Sequence, residues 1–157
     1  MEQDLTSKRW LAALRIMMGI IFLTTWIANI QKGFYTAAGL EHFFTQVYPQ
    51  NHNPIAPYAA FIQNVLLPSR AIFAPIQFIG ELGLGIALVL GIFTPIAGIG
   101  GAFLLANIFL ATYGTEWPWT YLSLIVVCIA VAATRSGRTF GLDAMLVSRI
   151  PRGLPIA

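Results

Sequence analysis

Four unbroken apolar runs limit what this chain can fold into. They cover residues from about 10 to 31, 71 to 93, 95 to 113 and 117 to 134. Each holds roughly 18 to 23 residues, enough at about 1.5 Å per residue for about 30 Å of hydrocarbon. The runs are continuous rather than alternating, which selects helices over barrel strands. Of the 157 residues, 57% are hydrophobic and only 10% charged, against about 25% charged in a soluble domain. Mean hydropathy is +0.75. One soluble domain of this length cannot hide so much apolar surface. The expectation is an all-α integral membrane protein, a single-domain four-helix bundle. The net charge of +3 fits anionic lipid better than nucleic acid, because the basic residues cluster near helix ends.

The second and third runs meet at Thr94-Pro95, which predicts a tight antiparallel hairpin. Pro95 and Pro118 both fit a first helical turn, where a missing N–H costs nothing. Lys8 and Arg9 precede the first run as in a signal peptide. That run is too long for one, contains Arg15 and lacks a small-residue cleavage site, so an uncleaved span is expected. Four spans put both termini on one side, with Lys8, Arg9, Arg15, Arg135, Arg138, Arg149 and Arg152; the other side carries Lys32 and Arg70. The positive-inside rule then predicts an inner (cytoplasmic) membrane protein with both termini in the cytoplasm. Trp10 marks the inner edge, and Tyr113, Trp117, Trp119 and Tyr121 the outer one.

The only long connection runs from Gly33 to Ser69, on the outer side. "GLEHFFTQVY" and "YAAFIQNVLL" carry helical spacing; Tyr58, Phe61, Ile62, Val65 and Leu66 form one stripe. "PQNHNPIAP" between them reads as a turn. Two short surface helices are expected, serving as a lid on the bundle, as a docking surface or as the mouth of a site. "SGRTFGLD" reads as a turn, followed by a short interfacial helix that directs Arg149 to phosphates. Gly80, Gly83 and Gly85, with the pairs Ala97/Gly101 and Gly98/Ala102, are expected to be packing faces.

Glu81 is the single acid in the second run. It lies about 18 Å from Phe93 along the helix, near mid-membrane. A charge there costs at least about 2.5 kcal/mol unless compensated. Asn107 lies at similar depth on the third helix, within reach if the two faces meet. Arg15, roughly 8 Å deep, shares a stripe with Gly19, Phe22, Trp26, Asn29 and Gly33. It either approaches Glu81 through water or snorkels to headgroups. Glu81 itself is either a structural hydrogen-bond partner or a group in proton or quinone chemistry. His42 and His52 both fall in the outer loop, and Cys128, the only cysteine, falls mid-span as a packing residue. No metal, phosphate-loop or dinucleotide pattern appears. The sequence shows no redox centre of its own.

The first run, "LRIMMGIIFLTTWIANIQKGF", resembles the opening helix of the DoxX/DoxD family, with Arg15, Gly19 and Lys32 in the matching places. "GELGLGIALVLGIFTPIAG" is similar to the family's second helix and turn, through Glu81, Gly85, Gly91 and Thr94. "GRTFGLD" resembles its closing motif, at Gly137, Arg138, Leu142 and Asp143. The likeness runs from about residue 11 to 143. The long outer loop is closer to the DoxD branch, the small membrane subunit of thiosulfate:quinone oxidoreductase. One departure is "TTWIANIQ", where the family is often glycine-rich.

The resemblance implies a membrane subunit of a quinone-linked oxidoreductase. It would anchor a partner that oxidises a sulfur compound outside the membrane, and would assist electron and proton delivery to quinone. Glu81, Arg15 and Asn107 are the candidates for the proton path; Lys32, Trp26 and Asn29 are candidate quinone or lipid contacts. The second reading is a non-catalytic accessory subunit of a large respiratory or photosynthetic complex, docking through the aromatic loop and the "IPRGLPIA" tail.

Overall fold

The computed structural model describes the backbone of residues 2–147 and the side chains of residues 5–147. Arg149, Arg152 and the "IPRGLPIA" tail lie outside the described residues. The described chain is helical, without a named strand. Helix α1 spans Glu2–Gln31, α4 spans Arg70–Leu90, α5 spans Thr94–Ala111 and α6 spans Pro118–Ala133. Between α1 and α4 lie the short helices α2, Ala37–His42, and α3, Ala56–Phe61; α7, Asp143–Leu146, follows α6.

Helix α1 begins eight residues before the apolar run, because nothing in "EQDLTSKR" breaks a helix. At 30 residues it is about 45 Å long. Among the described residues, three helices are long and apolar enough to cross a membrane: Leu5–Gln31, Arg70–Leu90 and Thr94–Ala111. The fourth apolar helix, α6, is shorter than expected: its 16 residues reach about 24 Å. Pro118 opens it and Thr134 caps its last turn.

The four apolar helices pack in a ring, with α1 against α4 and α6, and α5 against α4 and α6. The core joins Met18, Phe22, Leu88, Leu105, Cys128 and Val131. Helices α1 and α4 approach closely where Gly19 meets Val89 and Gly85 meets Leu23. Gly98 lies against the Cys128 carbonyl, and Gly101 against Phe22 and the Cys128 sulfur. Gly80 and Gly83 depart from expectation: both face open space. The inward stripe of α4 is Ala74, Glu81, Gly85 and Leu88, and 80 and 83 fall on the opposite side. There they lie among exposed Ile72, Ile76, Ile79 and Ile86.

The long loop folds back onto the bundle. Thr36 caps α2 by accepting from the Gly39 N–H at 2.9 Å. Helices α2 and α3 each continue into a π turn, Phe43–Val47 and Ile62–Leu66. Leu40, Phe44 and Ile62 form a second core with Ala74 and Ala111. Only part of the expected stripe is buried. Tyr58, Ile62 and Leu66 face the core, whereas Phe61 and Val65, along one edge, are exposed. The polar turn is anchored in the end of α5. Buried Gln50 donates to the Ala111 carbonyl at 3.0 Å and Asn53 to the Leu110 carbonyl at 2.8 Å, satisfying two terminal carbonyls. Tyr48 donates to Glu116 at 2.6 Å across the same end.

Candidate functional site: a buried acid under an aromatic turn

Helix α1 ends in a glycine reversal. Gly33 adopts φ +67°. Its N–H meets the Ile30 carbonyl, and the Phe34 N–H meets the Asn29 carbonyl, both at 3.0 Å. This is the Schellman arrangement, which needs a left-handed residue and therefore favours glycine. It turns the chain back over α4 and lowers Tyr35 between the two helices.

Tyr35 meets Glu81 there. The phenol donates a hydrogen bond to Glu81 Oε2. Asn29 Nδ2 donates to the same oxygen at 3.2 Å and lies 3.4 Å from the Tyr35 oxygen. Gln77, one turn before Glu81 on α4, also hydrogen-bonds the carboxylate. Glu81 is 1% exposed, so its compensation comes from these three polar side chains. Burial first, and then the bond to Glu81, push the Tyr35 phenol well above its ordinary value. Tyr35 therefore stays protonated and acts as a donor.

Aromatic rings flank the acid. Phe78 packs 5.1 Å from Trp26 and 5.2 Å, edge-on, from Tyr35. The Trp26 indole N–H donates to the Phe78 carbonyl at 3.2 Å. Phe34 adds an edge contact to Tyr35 at 5.6 Å. The result is a carboxyl and a phenol sharing a hydrogen bond beside a wall of aromatic faces.

The sequence-selected residues divide into groups. Asn29, Trp26 and Glu81 come together. Asn107 does not join them: it turns toward the loop, where Tyr58 donates to its carbonyl at 2.9 Å, and its own amide donates to the Phe103 carbonyl at 2.8 Å. Lys32 is exposed at the end of α1, outside the cluster. Tyr35 and Gln77 were missed. The signal for Tyr35 was present in "QKGFY", a glycine closing a long helix with an aromatic two residues on. Gln77 could have been found from its one-turn spacing to Glu81.

Arg15 neither approaches Glu81 nor snorkels. It is 0% exposed and donates from Nη2 to the Phe140 carbonyl at 2.9 Å. Asp143 supplies its countercharge. The Asp143 carboxylate also accepts the Phe93 N–H at 2.7 Å and the Thr94 N–H at 2.9 Å. It thus caps the start of α5 from a segment 49 residues away. Gly91, at φ +65°, leaves room for the guanidinium, and Gly137 leaves room for Thr94 and Asp143. The "GRTFGLD" segment is therefore a latch that closes the terminus-bearing end of the bundle.

Long apolar helices, lipid-type exposed faces and buried acids satisfied from within define a helical membrane protein. The family model for DoxX matches residues 10–114, and the chain belongs to the DoxX family. The match covers α1 through α5 and ends before the latch. No curated protein and no solved structure matches the chain.

Proposed function

We propose that this chain is the membrane subunit of a quinone-linked oxidoreductase, in which the Glu81–Tyr35 pair passes protons while a partner supplies electrons. The buried acid and the half-buried phenol that hydrogen-bonds it, between α1 and α4, carry this reading. Intramembrane acids are functional candidates by default. The faces of Trp26, Phe78 and Tyr35 suit a flat ring, and the acid beside them suits a group that takes up protons. A quinone supplies two-electron, two-proton chemistry when bound. Glu81 holds a proton in its carboxyl form. Tyr35 and Asn29 stabilise the carboxylate left when that proton departs. Gln77 keeps the carboxyl oriented through both states. Cys128 and the core below exclude water from the deeper bundle.

In this reading all four apolar helices cross the inner (cytoplasmic) membrane, with both termini cytoplasmic. The seven-to-two distribution of Lys and Arg supports that orientation. Exposed Trp117 and Trp119 fit the opposite interface. The loop between α1 and α4 would present the docking face for a partner carrying the oxidation of a reduced sulfur compound.

One observation favours the accessory-subunit reading. Tyr35 and Asn29 already satisfy Glu81 within the bundle, as in a structural hydrogen-bond node. Turnover separates the two. Glu81→Gln keeps shape and hydrogen bonding but cannot release a proton. In the purified complex it should slow quinone reduction about a hundredfold with assembly intact. Unchanged turnover would remove the proton role and leave the accessory reading.

A further inference from the structure

The polar contacts of Glu81 are one-sided. Gln77 precedes it by one turn on α4, Asn29 lies in the last turn of α1, and Tyr35 comes from the reversal beyond. All three lie toward the loop-bearing end of the bundle. Glu81 sits halfway along α4, yet it meets the end of α1, so on this side the loop covers it. Tyr35 in that cover is half-buried, whereas Glu81 is buried. The opposite side is apolar. One turn on from Glu81, Gly85 lies against Leu23. Beyond it come Met18, Phe22, Leu84 and Leu88, and Gly19 closes on Val89. Thr24 is exposed and bonds the Ile20 carbonyl of its own helix at 2.9 Å. A buried water needs several polar partners, and apart from the Cys128 thiol this layer turns no polar side chain inward. Arg15, the next ionisable side chain of α1 or α4 toward that end, is held by Asp143 and the Phe140 carbonyl.

We infer that Glu81 exchanges its proton with the loop-bearing side of the membrane alone, through the Tyr35 phenol. When Glu81 is a carboxylate, the Tyr35 O–H bond breaks toward Oε2 while the phenol oxygen takes a proton from a solvent acid at the loop surface. One proton passes from that acid to Glu81, and the phenol is restored. The other titratable groups around the site stand apart from this path. Helix α5 carries none. On α6, Tyr121 lies by Thr112 and Glu116, and Cys128 lies against Gly101 in the core. On α2, exposed Glu41 pairs with Arg70 at 3.1 Å, and His42 is exposed, as is Lys32 at the end of α1.

The inference rests on the proton role proposed for Glu81, but its test adds no quinone, so the two fail separately. Unchanged turnover in Glu81→Gln removes the quinone chemistry and leaves the sided access standing. The full chain is placed in sealed proteoliposomes with the loop face outward, sorted by an impermeant maleimide reacting at His52→Cys. The outer pH is raised in one step. Infrared spectra follow the Glu81 carboxyl C=O band, assigned by its absence in Glu81→Gln. The band should fall at once, and Tyr35→Phe should slow the fall about a hundredfold. In vesicles of the opposite orientation it should fall only after a protonophore carries the change inside. A fall that waits for the protonophore in loop-outward vesicles would overturn the inference. So would an immediate fall in both orientations, or no fall at all. An undelayed response in Tyr35→Phe would overturn the part given to the phenol.

Discussion

At the residue scale, the chain pairs each buried charge with partners far away in sequence. Glu81 takes Tyr35 and Asn29, and Arg15 takes Asp143 and the Phe140 carbonyl. Removing one partner therefore costs more than the bond itself, because the other is left buried. Tyr35→Phe should destabilise the protein by about 1–3 kcal/mol, read as a lower Tm in detergent, with the fold kept. An unchanged Tm would mean that the phenol does not satisfy Glu81. Asp143→Ala should be worse, by about 3–5 kcal/mol, because it leaves a buried guanidinium and two amides of α5 unmet. Glu81 was legible in the sequence as one acid in an apolar run. Its partners were not, because apolar spacing on a membrane helix leaves its rotation open. That rotation decides whether Asn29 or Asn107 meets the acid.

At the element scale, helix existence was plain from apolar length, and helix ends followed chemistry that the apolar runs do not carry. The polar residues before Trp10 extend α1, and the proline and the tryptophan-rich turn shorten α6. Gly33 and Gly91 could be recognised as stops, but the sequence does not say what each reversal brings together. Besides the apolar contacts to Ala111, α3 is hydrogen-bonded to α5 through a phenol. Tyr58 donates to the Asn107 carbonyl, and burial pushes its ionisation up to about 12 from about 10. The folded value lies above the unfolded one. The stability from this neutral phenol is therefore fully present below about pH 10 and lost as pH rises through about 12. Phenolate absorbance should show several late-titrating tyrosines, and Tyr58→Phe should remove one of them. An ordinary titration in the wild type would mean that α3 is not seated on α5.

At the scale of the whole molecule, two closures hold the ring of helices. The loop core and its polar turn seal one end; Arg15, Asp143 and the glycine-lined latch seal the other. The family likeness was legible from short motifs in α1 and α4. The latch motif was legible too, though its job as a cap on α5 needed the fold. The proposed orientation, with both termini cytoplasmic, is supported by the charge bias and can be tested directly. In intact cells, His52→Cys should react with an impermeant maleimide added outside, and Arg135→Cys only after lysis. The reverse pattern would invert the topology and place the aromatic turn on the cytoplasmic side. The central claim, that Glu81 exchanges a proton during quinone chemistry, has one direct measurement. Infrared difference spectra of the complex, recorded on reducing bound quinone, should show a carboxyl C=O band that shifts with reduction and disappears in Glu81→Gln. A spectrum with no carboxyl change, or with a change that survives in Glu81→Gln, would contradict it.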